Sequence, residues 1–195
     1  MNSLRRINER LDGILPKITD ASFRENKGLG NEIGFYIFDY DPKYEMLVRE
    51  HIVYMQERLK NDSSLHIREF DLYEVMLEIL EEKGYLQKNI DMEQKKGSDF
   101  ILNATRKALR LTSNNDLVVQ YITDRVQPND IVFLTGVGKV FPIIRSHTIL
   151  NNLHKAVDNV PLVMFFPGTY DGLELVLFGE IKDDNYYRAF QLIDK

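Results

Sequence analysis

The chain has no cysteine, and that single absence removes disulfides, thiolate nucleophiles and Cys-based zinc sites together. It also has no apolar run near the ~18 residues that a membrane-spanning helix requires. Its opening residues, Met1-Asn2-Ser3-Leu4-Arg5-Arg6, carry two basic groups, but Asn8, Glu9, Arg10 and Asp12 follow where a signal peptide would need an apolar core. The expectation is a cytoplasmic protein without membrane contact. Positive charge is in short supply as well: 25 Lys and Arg against 30 Asp and Glu leave a net charge of −5. A surface that coats nucleic acid over its whole extent needs clustered cations, so that class is excluded, whereas a local basic patch is allowed. No HExxH or comparable metal spacing occurs, and no metal or cofactor is indicated.

What is present is an ordinary globular balance, 44% hydrophobic and 28% charged over 195 residues, enough to bury a sizeable core. Leu4, Ile7, Leu11 and Ile14/Leu15 recur at helical spacing, which predicts an amphipathic helix over 3–18 with Ser3 as its cap. The short apolar run from Gly34 to Asp39 reads as a buried strand. Asp41-Pro42 then opens a helix, since Asp caps and Pro tolerates the first helical position. A second strand is expected over Leu65 to Phe70, with a helix starting at Asp71. Ser98–Leu111 and Asn115–Val126 read as helices within a helical insertion at about 84–127. The strands continue at Ile131–Leu134 and Pro161–Phe166, with a helix between them from about Phe141 to Val157. Pro167-Gly168 is expected to end the fourth strand, and only Pro167 to Gly172 separates it from a fifth at Leu173–Phe178, so those two form an antiparallel hairpin.

This order predicts one three-layer α/β domain over 1–195: a central, mostly parallel sheet of about five strands, a C-terminal antiparallel hairpin and helices on both faces. The element order resembles a P-loop NTPase core without its Walker A loop, an analogy of fold alone. Gly136-Val137-Gly138-Lys139 follows a buried strand, but a Walker A loop requires G-x-x-x-x-G-K-[ST] so that backbone amides can wrap the phosphates. Glycines that turn the chain after a strand are the better reading.

Polar groups beyond strand ends are where open α/β sheets place ligands, and two segments qualify. Lys139 is followed by a helix carrying Arg145, His147, Asn151, Asn152 and His154, of which 147, 151 and 154 share a face. Near the end, Asp183, Asp184, Asn185, Tyr186, Tyr187 and Arg188 read as the start of a last helix. The acids complement the helix dipole, while Tyr and Arg are enriched at interfaces. Lys139, Arg145, His147, Asn151, Asn152, Asp183, Asp184, Tyr186, Tyr187 and Arg188 are therefore the candidate partner or ligand residues. Asp171, Glu180 and Lys182 raise a magnesium nuclease alternative, although Asp171 fits a turn residue equally well.

The blocks Gly28-Leu29-Gly30 to Asp41-Pro42, Leu134-Thr135-Gly136-Val137-Gly138-Lys139, Arg145-Ser146-His147 to Leu153, Phe165-Phe166-Pro167-Gly168 and Lys182 to Phe190 resemble the BrxB family, the small component of BREX bacteriophage-exclusion systems. The resemblance spans nearly the whole chain and carries no catalytic residues with it. It implies phage defence beside a site-specific DNA methyltransferase, a large ATPase and the phosphatase-like PglZ protein, the last two being the first expected partners, with DNA reached through the assembly. With no complete catalytic motif present, the expected role is a non-enzymatic adaptor that binds other BREX proteins; a nucleic-acid-binding or nuclease subunit is the alternative.

Overall fold

A computed structural model describes residues 3–24, 34–62, 64–111, 113–154, 156–157, 159–183 and 189–194. The chain is an α/β protein whose central sheet has the order β2-β3-β4-β1-β7, with helices around it and a hairpin added through β5 and β6. The elements are α1 (Ser3–Asp12), α2 (Ile14–Thr19), α3 (Ala21–Arg24), β1 (Phe35–Tyr40), α4 (Glu45–Leu59), β2 (His66–Asp71), α5 (Leu72–Glu82), α6 (Leu86–Lys96), α7 (Ser98–Leu109), α8 (Leu117–Thr123), β3 (Asp130–Thr135), α9 (Val137–Val140), α10 (Ser146–Leu153), β4 (Leu162–Tyr170), β5 (Leu175–Leu177), β6 (Ile181–Asp183) and β7 (Phe190–Gln191). They divide into two compact units.

The first unit comprises 1–69, 127–135 and 158–195. Strand β1 runs parallel to β4, from Phe35 opposite Leu162 to Tyr40 opposite Pro167, and parallel to β7 at Tyr36 and Ile37. Strand β3 runs parallel to β4 on its other side. The central residues of β3 and β4, Ile131 to Leu134 and Leu162 to Phe166, are apolar because both of their faces are buried. On one face Phe38, Phe133, Val163 and Phe165 pack with Ile7 and Leu11 of α1, Ile14 and Ile18 of α2, and Val48, Ile52 and Met55 of α4. The expected mostly parallel sheet with an antiparallel C-terminal hairpin is thus present.

Three details differ from the reading of the sequence. The single helix expected over 3–18 is divided at Gly13, where an added Cβ would lie 3.3 Å from Arg10 O and 3.4 Å from Ile193 Cδ1. Strand β4 does not stop at Pro167-Gly168. It changes partner there, from β1 through Tyr40↔Pro167 to β5 through Gly168↔Leu177. Pro167 needs no amide of its own for this; its carbonyl accepts the Phe178 N–H at 2.8 Å. Finally, Asp183 does not open a helix, because it ends β6 opposite Leu175. The rest of that expected helix, Asp184 to Arg188, lies outside the described residues.

The second unit comprises 70–126 and 136–157 and is helical. Asp71 caps α5, accepting the Tyr73 and Glu74 amides at 3.0 and 3.4 Å. Asp116 caps α8 in the same way at 2.9 and 3.2 Å. The helix expected over Phe141–Val157 is shorter: α10 begins only at Ser146, after Pro142, which has no amide to donate, and ends at Leu153. A separate short helix, α9, precedes that span and follows Gly136 directly. α6 falls inside the helical insertion expected at about 84–127, although no helix was assigned to its residues, and none of them is buried.

Candidate functional site

In the first unit the carboxyl ends of β1 and β4 open into a crevice of about 600 Å³. Ser3, Arg6 and Arg10 reach it from α1, Asp39 to Tyr44 from the end of β1, Gly168 and Thr169 from β4, and Phe178 and Gly179 from the β5–β6 turn. This is the position at which open parallel sheets bind ligands.

Its floor is organised by one carboxylate. Asp39, 2% exposed, accepts from Arg10 Nη2 at 2.9 Å and Gln191 Nε2 at 3.0 Å on Oδ1, and from the Tyr170 amide at 3.0 Å on Oδ2. Arg10 also donates to the Asp39 carbonyl at 2.8 Å, and its guanidinium lies 4.7 Å from the centre of the Phe38 ring. Four segments distant in sequence, α1, β1, β4 and β7, thus meet on a single side chain. With both its oxygens engaged by protein donors, Asp39 acts as a clamp.

The rim is neutralised in the same manner. Lys43 Nζ lies 2.5 Å from Asp41 Oδ2. That bond, followed by the Lys43 backbone amide, holds the Asp41 carboxyl below its usual range, and the same bond raises the Lys43 ammonium. Tyr40 Oη donates to Glu45 Oε2 at 2.5 Å. Burial first, and then this bond, push the phenol far upward, so it stays protonated. The turn Pro42–Tyr44 is a short 3-10 segment capped by Asp41, without the glycines that a phosphate-cradling loop requires.

The β5–β6 turn forms the lip. Phe178 and Gly179 have φ of 57° and 74°, and the Glu180 amide closes the turn on the Leu177 carbonyl at 3.1 Å. Left-handed backbone is natural for Gly179 and strained for Phe178. Phe178 nevertheless remains 42% exposed, and Leu173 and Ile181 beside it in the hairpin sequence are 56% and 37% exposed.

The residues singled out from the sequence fall in several places. Lys139 pairs with Asp71 and lies 3.8 Å from Glu74 Oε1 within the second unit, as a brace on the start of α5. Gly136 has φ of 71°, and a Cβ there would sit 2.2 Å from Asp71 Oδ1, so this glycine serves a turn and a close approach. Arg145 occupies the N-cap position of α10 and lines a cavity of the second unit. His147 is half-buried on α10 and Asn151 is exposed. Asn152 is committed to the fold: it donates to the Leu111 carbonyl at 3.1 Å and to Asp116 Oδ2 at 2.9 Å. Tyr186, Tyr187, Arg188 and Asp184 lie outside the described residues. The nuclease constellation is not assembled. Asp171 accepts the Leu173 and Glu174 amides at 2.8 and 2.7 Å in a turn before β5, whereas Glu180 follows the other end of that strand. Among the described residues no cluster of three or more His, Asp or Glu could hold a metal ion, and no helix is long and apolar enough to cross a membrane.

Comparison with known proteins settles what kind of chain this is. The family model for BREX protein BrxB matches residues 68–192. The chain belongs to the BrxB family. It is 99% identical over 192 residues to the BREX protein BrxB of Bacillus cereus (strain H3081.97), covering 98% of this chain and 100% of that relative. The BREX protein BrxB of Escherichia coli O9:H4 (strain HS) is 34% identical over 186 residues, covering 94% of this chain and 90% of that protein. No solved structure matches. The sequence resemblance to this family is thereby confirmed, and it carries no catalytic assignment for the crevice.

Proposed function

We propose that this BrxB-family chain works in BREX phage exclusion as a non-enzymatic adaptor, docking other BREX proteins at the mouth of the strand-end crevice. The observation that carries the reading is Phe178. A large aromatic side chain is 42% exposed at the crevice lip on left-handed backbone, a strained arrangement of the kind concentrated where residues meet ligands or partners. Ile181, paired with Leu177 next to the turn, extends the apolar surface, and aromatic anchors of this kind dominate protein interfaces. Both carboxylates of the crevice, Asp39 and Asp41, are engaged by Arg10 and Lys43, which supports binding by shape over a role as a free base. The phosphatase-like PglZ protein and the large ATPase are the first partners to test.

The test is co-purification from cells that express all components. The expected result is that the unaltered chain co-elutes with a tagged partner, and that Phe178→Gly together with Ile181→Ser abolishes this without lowering the melting temperature. Migration of the unaltered chain alone under gentle conditions would end the adaptor reading.

A further inference from the structure

We propose that the second unit holds the phosphate backbone of duplex nucleic acid in a basic cavity between the end of α7 and the start of α10. This goes beyond the adaptor role and rests on different residues. The cavity measures about 700 Å³. Arg106 and Lys107 reach it from the last turn of α7, Arg110 from the C-cap of that helix and Arg145 from the N-cap position of α10. Among the described residues no carboxylate lines it.

The cations that hold the fold together are set on carboxylates: Arg10 on Asp39, Lys43 on Asp41, Arg49 on Glu45, Arg68 on Asp130, and Lys139 on Asp71. Other cations such as Arg58 and Lys83 stand singly on the exposed surface, whereas the cavity gathers four of them in one concave site. Arg106 donates to the carbonyls of Ile143, at 3.2 Å, and Pro142, which fixes its guanidinium without neutralising it. Lys107, Arg110 and Arg145 are exposed and have no ion-pair partner among the described residues. On a chain of net charge −5, four converging cations create a local field of the opposite sign, which is the requirement for capturing a polyanion.

Two further features narrow the ligand. Arg110 has φ of 57°, a conformation at a helix end that glycine adopts freely; an arginine there keeps a cation at the cavity despite the strain. The cavity offers Ser113 and Thr148 hydroxyls but no aromatic side chain. Hydroxyls and cations bind phosphate oxygens, whereas a single strand held by its bases needs stacking platforms. The site therefore reads backbone charge, without base specificity.

The experiment is fluorescence anisotropy of a labelled 30-base-pair duplex of arbitrary sequence with the full chain, over a salt series starting at low ionic strength. The variant is Lys107→Ala, Arg110→Gly, Arg145→Ala, three exposed positions, with retained folding checked by circular dichroism; Arg58→Ala in the first unit, exposed and outside both cavities, is the control. Each phosphate no longer neutralised lowers the slope of log K against log salt by about 0.9. The triple variant is therefore expected to lose roughly 2–3 in slope and at least about tenfold in affinity at low salt, with the control unchanged. An unaltered chain that leaves the duplex unbound at low salt overturns the proposal. So does a triple variant with an unchanged slope, because the phosphates would then be neutralised elsewhere. Binding of a poly-glutamate peptide in place of duplex would assign the cavity to an acidic protein segment and end the nucleic-acid reading. Co-purification with BREX proteins does not depend on these three side chains, so failure here leaves the adaptor reading standing.

Discussion

The two cavities of this molecule contain similar numbers of cations and use them in opposite ways. At the strand-end crevice of the first unit, Arg10 and Lys43 are matched by Asp39 and Asp41. At the helical cavity of the second, Arg106, Lys107, Arg110 and Arg145 face no carboxylate among the described residues. Charge that is neutralised within the chain fixes the chain's own geometry. Charge that is left unmatched costs self-repulsion and returns that cost only when an external anion arrives. Each cavity also carries one non-glycine residue in left-handed backbone, Phe178 in the first and Arg110 in the second. The side chain kept at that cost is apolar where the surroundings are neutral and cationic where they are basic.

The comparison can be broken at its most committed point. Asp39→Ala leaves Arg10 buried without a counter-ion and releases the Tyr170 amide and Gln191, and should cost about 3–5 kcal/mol in urea or thermal unfolding. A loss below about 1 kcal/mol would mean that the clamp contributes no more than a surface ion pair. In the second unit the largest structural effect is expected from Gly136→Ala. Left-handed backbone costs an alanine about 1–2 kcal/mol, and the displaced Asp71 would lose part of its cap on α5, about 1 kcal/mol more.

Smaller effects sharpen the contrast. Arg110→Gly and Phe178→Gly should each stabilise the fold by about 1 kcal/mol through relief of positive φ. The first should weaken duplex binding and leave partner co-purification intact; the second should do the reverse. An unchanged melting temperature in both would show that neither residue is strained. The smallest expected effect is on pH dependence. Burial lowers the pKa of the His51 imidazole, with Asp12 and the Leu11 backbone acting against it. The folded state thus binds that proton less readily than the unfolded one, so the contribution of His51 to stability is full above the unfolded pKa of about 6.5 and is lost as pH falls below it. His51→Gln should flatten the acid side of the stability curve by about a few tenths of a kcal/mol, and should leave the curve above pH 7 in place.

Much of the fold could be read from local chemistry. Asp41-Pro42 and Asp71 announced their helix starts because capping is a property of adjacent residues. The β4–β5 hairpin followed from a short connection. Pro167-Gly168 misled because a proline and a glycine mark a strand's end only when no new partner is waiting. Here β5 takes over from β1, and Gly168 is required by the Val176 carbonyl, 2.1 Å from where its Cβ would stand. The clamp at Asp39 was beyond sequence reasoning, since its partners lie at positions 10, 170 and 191. The basic cavity was half legible. Arg145 was singled out, while Arg106, Lys107 and Arg110 passed as ordinary helix surface. A signal was available: from Phe100 to Asn115 the chain has three cations and no acid.

The pairing of β1 imposes an order on biosynthesis. Its two neighbours, β4 and β7, are the strands centred on Leu162 to Pro167 and on Phe190 to Gln191, so both emerge from the ribosome after the whole of the second unit, which ends at Val157. Throughout that interval the apolar segment Phe35 to Tyr40 has neither edge covered. A nascent chain stalled before Leu162 presents it as an open template for another polypeptide. The time taken to synthesise the second unit therefore sets how long that template stays open.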